Sequence, residues 1–383
     1  MRIDFANIPE INGQHLVLPD APFLSYHPNF SKIKHYQKEF GVYDNIILVG
    51  HGGSVNSAKA IIGALGSGGK HVEFLSTVDP DFIAALKKKF SAENTLVIAI
   101  SKSGKTVTQL EALLHFTDYK WLVITEKDTP LEQMAMQKKA EIVRHPHIGG
   151  RYVGITEVAL VPAALCGIDV ESVYEGARQM YEQYAQDNIA LQAAHIFYQL
   201  EENGFVDVFM PFYSSELFAF SDLAVQLCHE SFGKDGKGQT YLAAQAPESQ
   251  HHTNQRFLGG RKNIAGLFIQ TDAFNSDADT KVPAAMQGIE INDSRMFALN
   301  NIPLSYAMEA EFKGTWEDAK IHAIPIVGLA VKSIQPKEIG KFMAFWQIFA
   351  VYSSVLRKVN PFDQPEVENS KAISWARRKD FKR

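Results

Sequence analysis

Cysteine is scarce in this chain: Cys166 and Cys228 are the only two among 383 residues. Two thiols make neither a disulfide framework nor a zinc-binding cysteine arrangement. Both fall in apolar helical runs, where buried structural thiols are expected. A basic excess is missing as well. Lys and Arg total 38 against 43 Asp and Glu, a net charge of -5, which argues against a nucleic-acid binder. The short basic tail WARRKDFKR is interrupted by Asp380 and reads as a solvated terminus. The N-terminal MRIDFANIPEING has no basic segment followed by an apolar core, so no signal peptide is expected. The longest apolar stretches, IHAIPIVGLAV and VALVPAALCGIDV, fall short of the roughly 20 residues of a membrane span. These absences point to a soluble cytoplasmic enzyme. What is present is 46% hydrophobic and 11% aromatic residues, ample for real cores. At about 150 residues per domain the length suggests two or three domains.

The order of elements is informative. Residues 1–28 carry Pro9, Pro19, Pro22 and Pro28 and read as irregular. From residue 45, apolar runs alternate with helical patterns: NIILVG, a helix from Ser54 to Leu65, HVEFLS, DFIAALKKKF, TLVIAI, a helix around LEALLHF, WLVIT and a helix near 129–139. Strands that are apolar throughout and alternate with helices imply a parallel sheet covered on both faces. GITEVALVPAAL (154–165) reads as a helix, and 171–204 is helical and charged. A second alternating region starts at VDVFMPFY (206–213). It continues with one long helix from Ser215 to Glu230, the strands NIAGLFIQ and IHAIPIVGLAV, and a helix from Lys337 to Lys358. The expected architecture is α/β with two doubly wound parallel-sheet domains, 1–180 and 181–355, and a C-terminal helical tail, 356–383.

Ligands of such sheets bind beyond the carboxyl ends of the strands. Two turns lie there. VGHGGS (49–54) brings Gly52, Gly53 and Ser54 to a helix start, where backbone N–H groups and the helix dipole favour an anion. SKSGKT (101–106) adds the hydroxyls of Ser101, Ser103 and Thr106 and the charges of Lys102 and Lys105. Neither has the glycine spacing of a dinucleotide fingerprint or a P-loop. Together they suit a sugar phosphate, although ordinary strand-to-helix turns can look the same.

Candidates for chemistry lie elsewhere. CHESFGKDGKG places Glu230 at a helix end before a glycine-rich loop, and a lone glutamate there is often only a solvated end. APESQHHTNQ supplies His251 and His252. Adjacent histidines can bind metal, but here and in HPH (145–147) no partner lies at usual ligand spacing. GGRYVG places Arg151 behind two glycines; its plain alternative is a surface arginine. A carboxylate base, a histidine, an arginine and a phosphate cradle are the parts that aldose–ketose isomerisation requires.

In order along the chain, VGHGGS, SKSGKT, GGRYVGITEVALVPAAL, CHESFGKDGKG, SQHHTNQ and NPFDQPEVENSK resemble the glucose-6-phosphate isomerase family over roughly residues 45–371. SKSGKT is shared more widely among sugar isomerase (SIS) domains. The resemblance implies two SIS domains and interconversion of glucose 6-phosphate and fructose 6-phosphate, with no cofactor or metal. It implies Glu230 as catalytic base, His251 followed by Gln255 as the ring-opening histidine with His252 as the alternative, and Lys371 and Arg151 as further catalytic groups. Ser54, Ser101, Ser103 and Thr106 match phosphate positions. The histidine would come from the neighbouring subunit of a homodimer. Departures from the family pattern are His51, Lys105, Val153 and Glu366. A dual phosphoglucose/phosphomannose isomerase and a non-catalytic sugar-phosphate sensor remain open as alternatives.

Overall fold

The computed structural model describes residues 1–11, 13 and 16–381. Its strands are, in chain order, β1 (Arg2–Ala6), β2 (Asn45–Val49), β3 (His71–Leu75), β4 (Thr95–Ser101), β5 (Lys120–Thr125) and β6 (Glu141–Arg144). There follow β7 (Asp207–Phe212), β8 (Thr240–Gln245), β9 (Ile264–Thr271), the small hairpin β10 (Glu290–Ile291) and β11 (Ser294–Arg295), and β12 (Ile326–Val331). The first sheet is wholly parallel in the order β3-β2-β4-β5-β6, with Val49 opposite Ala99. The second runs β1-β12-β9-β7-β8 and is parallel except for β1, which is antiparallel to β12.

Side-chain alternation along each strand explains the layering. In the first sheet Ile47, Val49, Val97, Ala99, Trp121 and Val123 face one core with Leu113 and Leu131. Ile46, Leu48, Leu96, Ile98, Leu122 and Ile124 face the other, with Ile61 and Leu160. That second core continues without a break into the inner face of the second sheet, through Met210, Leu267 and Val327, and onto the helix Pro336–Arg357. The outer face of the second sheet packs Phe209, Phe268 and Ile326 against Phe257 and Phe312. One core thus joins the two sheets and holds their carboxyl edges in a fixed relation. The helix Pro336–Arg357 is long and apolar enough to cross a membrane, but most of it is buried inside this core.

Three expectations need correction. Residues 1–28 are not wholly irregular: β1 closes the edge of the second sheet, while Phe23 stacks on Tyr152 and Tyr26 donates to Glu157 (2.5 Å). The helix expected from Ser215 to Glu230 is two helices, Ser215–Phe218 and Ser221–Phe232. The break turns Phe220 into the core against Phe342 (ring centroids 4.8 Å apart). The strand expected over IHAIPIVGLAV begins only at Ile326, because the preceding residues finish the helix Leu304–Ile321. Cys166 and Cys228 are buried free thiols, and burial pushes the Cys166 thiol up to about 11.

Candidate active site

The turns VGHGGS and SKSGKT both lie at the carboxyl ends of adjacent strands, β2 and β4. The chain leaves β2 for β3 on one side and returns to β4 on the other, so the switch point where ligands collect falls between β2 and β4. The Gln109 amide locks the two strand ends together by donating to the carbonyls of Val49 (2.9 Å) and Ile100 (2.8 Å). Ser101 is buried, and its Oγ accepts from the Gly104 N–H (3.1 Å) while its own proton stays available. Gly104 has φ of +60°, which this turn needs. Ser103 Oγ accepts from the Lys105 N–H (3.3 Å). Thr106 is the N-cap of the helix Val107–Leu114 and makes no side-chain cap bond, which leaves its hydroxyl uncommitted to the helix-start amides. Lys102 lies 4.0 Å from Glu126, and Lys105 is exposed.

Gly52 and Gly53 connect this cradle to the chemistry. Gly52 (φ +52°) is the N-cap of the helix Gly53–Leu65, and a Cβ there would come 2.8 Å from Gln226 Nε2. A Cβ on Gly53 would come 2.2 Å from the Gly150 carbonyl carbon and 2.5 Å from the Arg151 nitrogen. The glycine turn is therefore packed against the backbone that carries Arg151.

Glu230 sits on the last turn of the helix Ser221–Phe232, with its side chain 32% exposed. Its Oε1 accepts from Gln226 Nε2 (3.1 Å) and its Oε2 from Arg151 Nη1 (3.2 Å). Gln226 is oriented in turn by Asn56, whose Nδ2 donates to Gln226 Oε1 (2.9 Å). Arg151 is not a surface arginine: it is 3% exposed. Its Nε donates to Ser231 Oγ (2.9 Å), and Nη1 also donates to Gln364 Oε1 (2.6 Å). Nη2 donates to the carbonyls of Pro361 (2.6 Å) and Asp363 (2.9 Å). All five guanidinium donors are thus taken by protein groups. While these bonds stand, no guanidinium N–H is free for a direct contact with a substrate oxyanion. The guanidinium fixes the carboxylate of Glu230 and sets a positive charge beside it.

Other expected site residues stand apart. His251 ends the 3-10 turn Glu248–His251 and is exposed, as are His252 and Gln255. Among the described residues no hydrogen bond or ion pair joins His251 to Glu230 or Arg151. Lys371 is exposed on the helix Glu368–Lys379, and its Nζ pairs with Glu368 Oε1 (2.7 Å) and not with Glu230. Reading the sequence missed Gln226, Gln364 and Asn56. Gln226 stood four residues before Glu230 on one helix, a spacing that puts both on one face, and Gln364 stood inside NPFDQPEVENSK.

The family model described as phosphoglucose isomerase matches residues 34–249, more than half of the chain. The chain belongs to the phosphoglucose isomerase family. A glucose-6-phosphate isomerase of Methanocaldococcus jannaschii is 26% identical, covering 98% of this chain and 94% of the relative. One from Thermus thermophilus is 28% identical over 90% of this chain and 86% of its own. Among solved structures, a hypothetical protein of Thermus thermophilus superposes with a TM-score of 0.84 at 25% identity, covering 91% of this chain and 86% of that one. A glucose-6-phosphate isomerase of Chlamydia trachomatis shares the fold, with a TM-score of 0.76 at 18% identity over 98% of this chain and 82% of its own.

The structure accounts for several departures of this phosphoglucose isomerase family member. Val153 is fully buried, where an aliphatic side chain packs as well as a hydroxyl. His51 Nε2 lies 2.9 Å from Thr108 Oγ1, so this turn gains a bond to the helix that follows the SKSGKT loop. Burial lowers the His51 pKa and favours the neutral ring. Glu366 is exposed in the tail. A separate cleft of about 520 Å³ opens beside β9, and Asp272, Asp277 and Glu309 line it. Arg2 also lines it and pairs with Asp272 (3.1 Å).

Proposed function

We infer that this protein is a glucose-6-phosphate isomerase, interconverting glucose 6-phosphate and fructose 6-phosphate. The observation that carries the reading is the carboxylate of Glu230, held between Gln226 and Arg151 beside a hydroxyl-rich anion cradle, in a chain of the phosphoglucose isomerase family. In this reading the phosphate binds at Ser54, Ser101, Ser103 and Thr106, with Gly52, Gly53 and Lys102 shaping the approach. Its binding energy orients carbons that lie some distance away. His251, followed by Gln255, and Lys371 open the ring by moving protons at the ring oxygen and the anomeric hydroxyl. Glu230 then takes the C2 proton of the open aldose and returns it to C1 of a cis-enediol. Arg151 steadies the carboxylate through both transfers, and its charge lowers the cost of the developing enediolate. The reaction is redox-neutral within the sugar, so the scheme calls on no cofactor. The exposure of His251 and the lack, among the described residues, of any bond from it to Glu230 support a site shared between two copies of the chain in a homodimer. The proposed domain division is two SIS domains, 1–180 and 181–355, with β1 contributed to the second sheet, and a tail, 356–383, that carries Lys371.

The test is a coupled assay of fructose 6-phosphate conversion, with mannose 6-phosphate as a second substrate. Glu230→Gln should lower kcat by about 10²–10⁴-fold, with KM little changed. Wild-type-like turnover in the variant would remove Glu230 from the mechanism, and comparable turnover of mannose 6-phosphate would broaden the substrate assignment.

A further inference from the structure

The helix Glu368–Lys379 buries none of its residues, and neither does the 3-10 turn Pro365–Val367 before it. A helix without a buried face is placed by its tethers and not by packing. Its far end is held by Arg378, which forms a two-pronged pair with Glu111 (2.6 and 2.8 Å). Its near end follows the loop Asn360–Gln364, and that loop is held mainly by two buried cations. One is Arg151, described above. The other is Lys234, in the turn just after Glu230.

Lys234 is 7% exposed. A buried ammonium must be paired to be tolerated. This one donates to the Asn360 carbonyl, to the Asp363 carbonyl (2.5 Å) and to Asp363 Oδ1 (2.6 Å), which uses all three of its protons. Asn360 Nδ2 donates to Asp363 Oδ2 (2.9 Å), and Asn360 Oδ1 accepts from the Phe362 N–H (3.0 Å), so the loop is closed on itself around the lysine. The Lys234 bond, together with its charge, holds the Asp363 carboxyl below its ordinary value. Lys234 therefore couples the helix end that presents Glu230 to the start of the segment that carries Lys371.

We propose that Lys234 is a positioning residue for the isomerase site, anchoring the Asn360–Gln364 loop so that Lys371 is presented to the substrate held at Glu230. This rests on the isomerase reading above. Lys234 has no part in proton transfer, because its three protons are spent on the loop. Losing it should therefore damage the ring-opening step that depends on the tail and leave phosphate binding alone.

A double-mutant cycle on the full chain tests this. Lys234→Met should lower kcat on the cyclic aldose about 10–100-fold, with KM within about twofold, as expected for displacement of a group by an ångström or so. The double variant Lys234→Met/Lys371→Ala should be no slower than Lys371→Ala alone, because both changes remove one function. Unchanged kcat in folded Lys234→Met, or losses that multiply, would overturn the proposal. Should Lys234→Met not melt cooperatively, Asp363→Asn replaces it in the same cycle with the same two readings at smaller amplitude. If the wild type turns over neither sugar phosphate, the isomerase reading fails, and hydrogen exchange then decides the anchoring by itself. Faster exchange across 360–379 in the Lys234 or Asp363 variant would support it, and unchanged exchange would end it.

Discussion

His145 stands at the carboxyl end of β6, 5% exposed, with Nδ1 donating to the Pro146 carbonyl (2.7 Å). Its Nε2 has no partner among the described residues. Burial, with a smaller push from Lys102, lowers its pKa to about 4, against opposing contributions from the Pro146 carbonyl and Glu126. The unfolded chain, titrating near 6.5, binds this proton more readily than the folded one. The stability it contributes is therefore complete above about pH 6.5 and is lost as pH falls toward 4, the loss reaching about 2–3 kcal/mol near pH 4.5. Urea melts of wild type and His145→Gln at pH 7.5 and 4.5 should show the wild type losing more stability by roughly that amount. Parallel losses would mean His145 is solvated or paired in solution. Residue chemistry of this kind was only partly legible beforehand. Glu230 could be singled out only through the motif CHESFGKDGKG and its family resemblance, because a lone glutamate at a helix end is often merely solvated. The Gln226 and Gln364 amides that hold the Glu230–Arg151 pair carry no such mark, since the second lies 134 residues after Glu230 and meets Arg151 only in the folded chain.

At the scale of elements, strands buried on both faces were readable because their sequences are unbroken apolar runs, as in Asn45–Val49 and Thr95–Ser101. Of the four edge strands of the two large sheets only His71–Leu75 was read. Arg2–Ala6 is half exposed and finds its partner more than 300 residues away, and Thr240–Gln245 alternates only weakly. The glycine turn shows how one element fixes another. A Cβ on Gly53 would meet the Gly150 carbonyl oxygen at 2.4 Å and the Arg151 nitrogen at 2.5 Å, both backbone atoms with no rotamer to escape into. Gly53→Ala should therefore push the Arg151 segment outward. It should cost about 1–3 kcal/mol of stability and, through the displaced Arg151–Glu230 pair, about 10–100-fold in kcat. Gly314→Ala is the control: its Cβ would meet nothing within 4 Å on a helix, and it should be neutral or stabilising by up to about 1 kcal/mol. Equal behaviour of the two variants would show that the close approach is not maintained in solution.

Across the whole molecule, one core joins the two sheets, and hydrogen bonds tie Glu230 and Gln364 to Arg151 within it. His251 is the exception, exposed on the turn after β8. Nothing in the order of motifs along a chain reveals which copy of the chain supplies a given group, and this part of the site came only from family resemblance. Symmetry makes the question testable. In a twofold dimer each shared site takes Glu230 from one copy and His251 from the other. Glu230→Gln and His251→Ala should each be inactive alone. When the two are unfolded together and refolded, half of the dimers should be mixed, and each mixed dimer should own one intact site and one that lacks both groups. The mixture should then regain about one quarter of wild-type activity. Sites built within single chains would leave every site in the mixture damaged. No recovery, in a refolded sample shown to contain mixed dimers, would therefore return His251 to its own subunit and require its turn to swing toward Glu230.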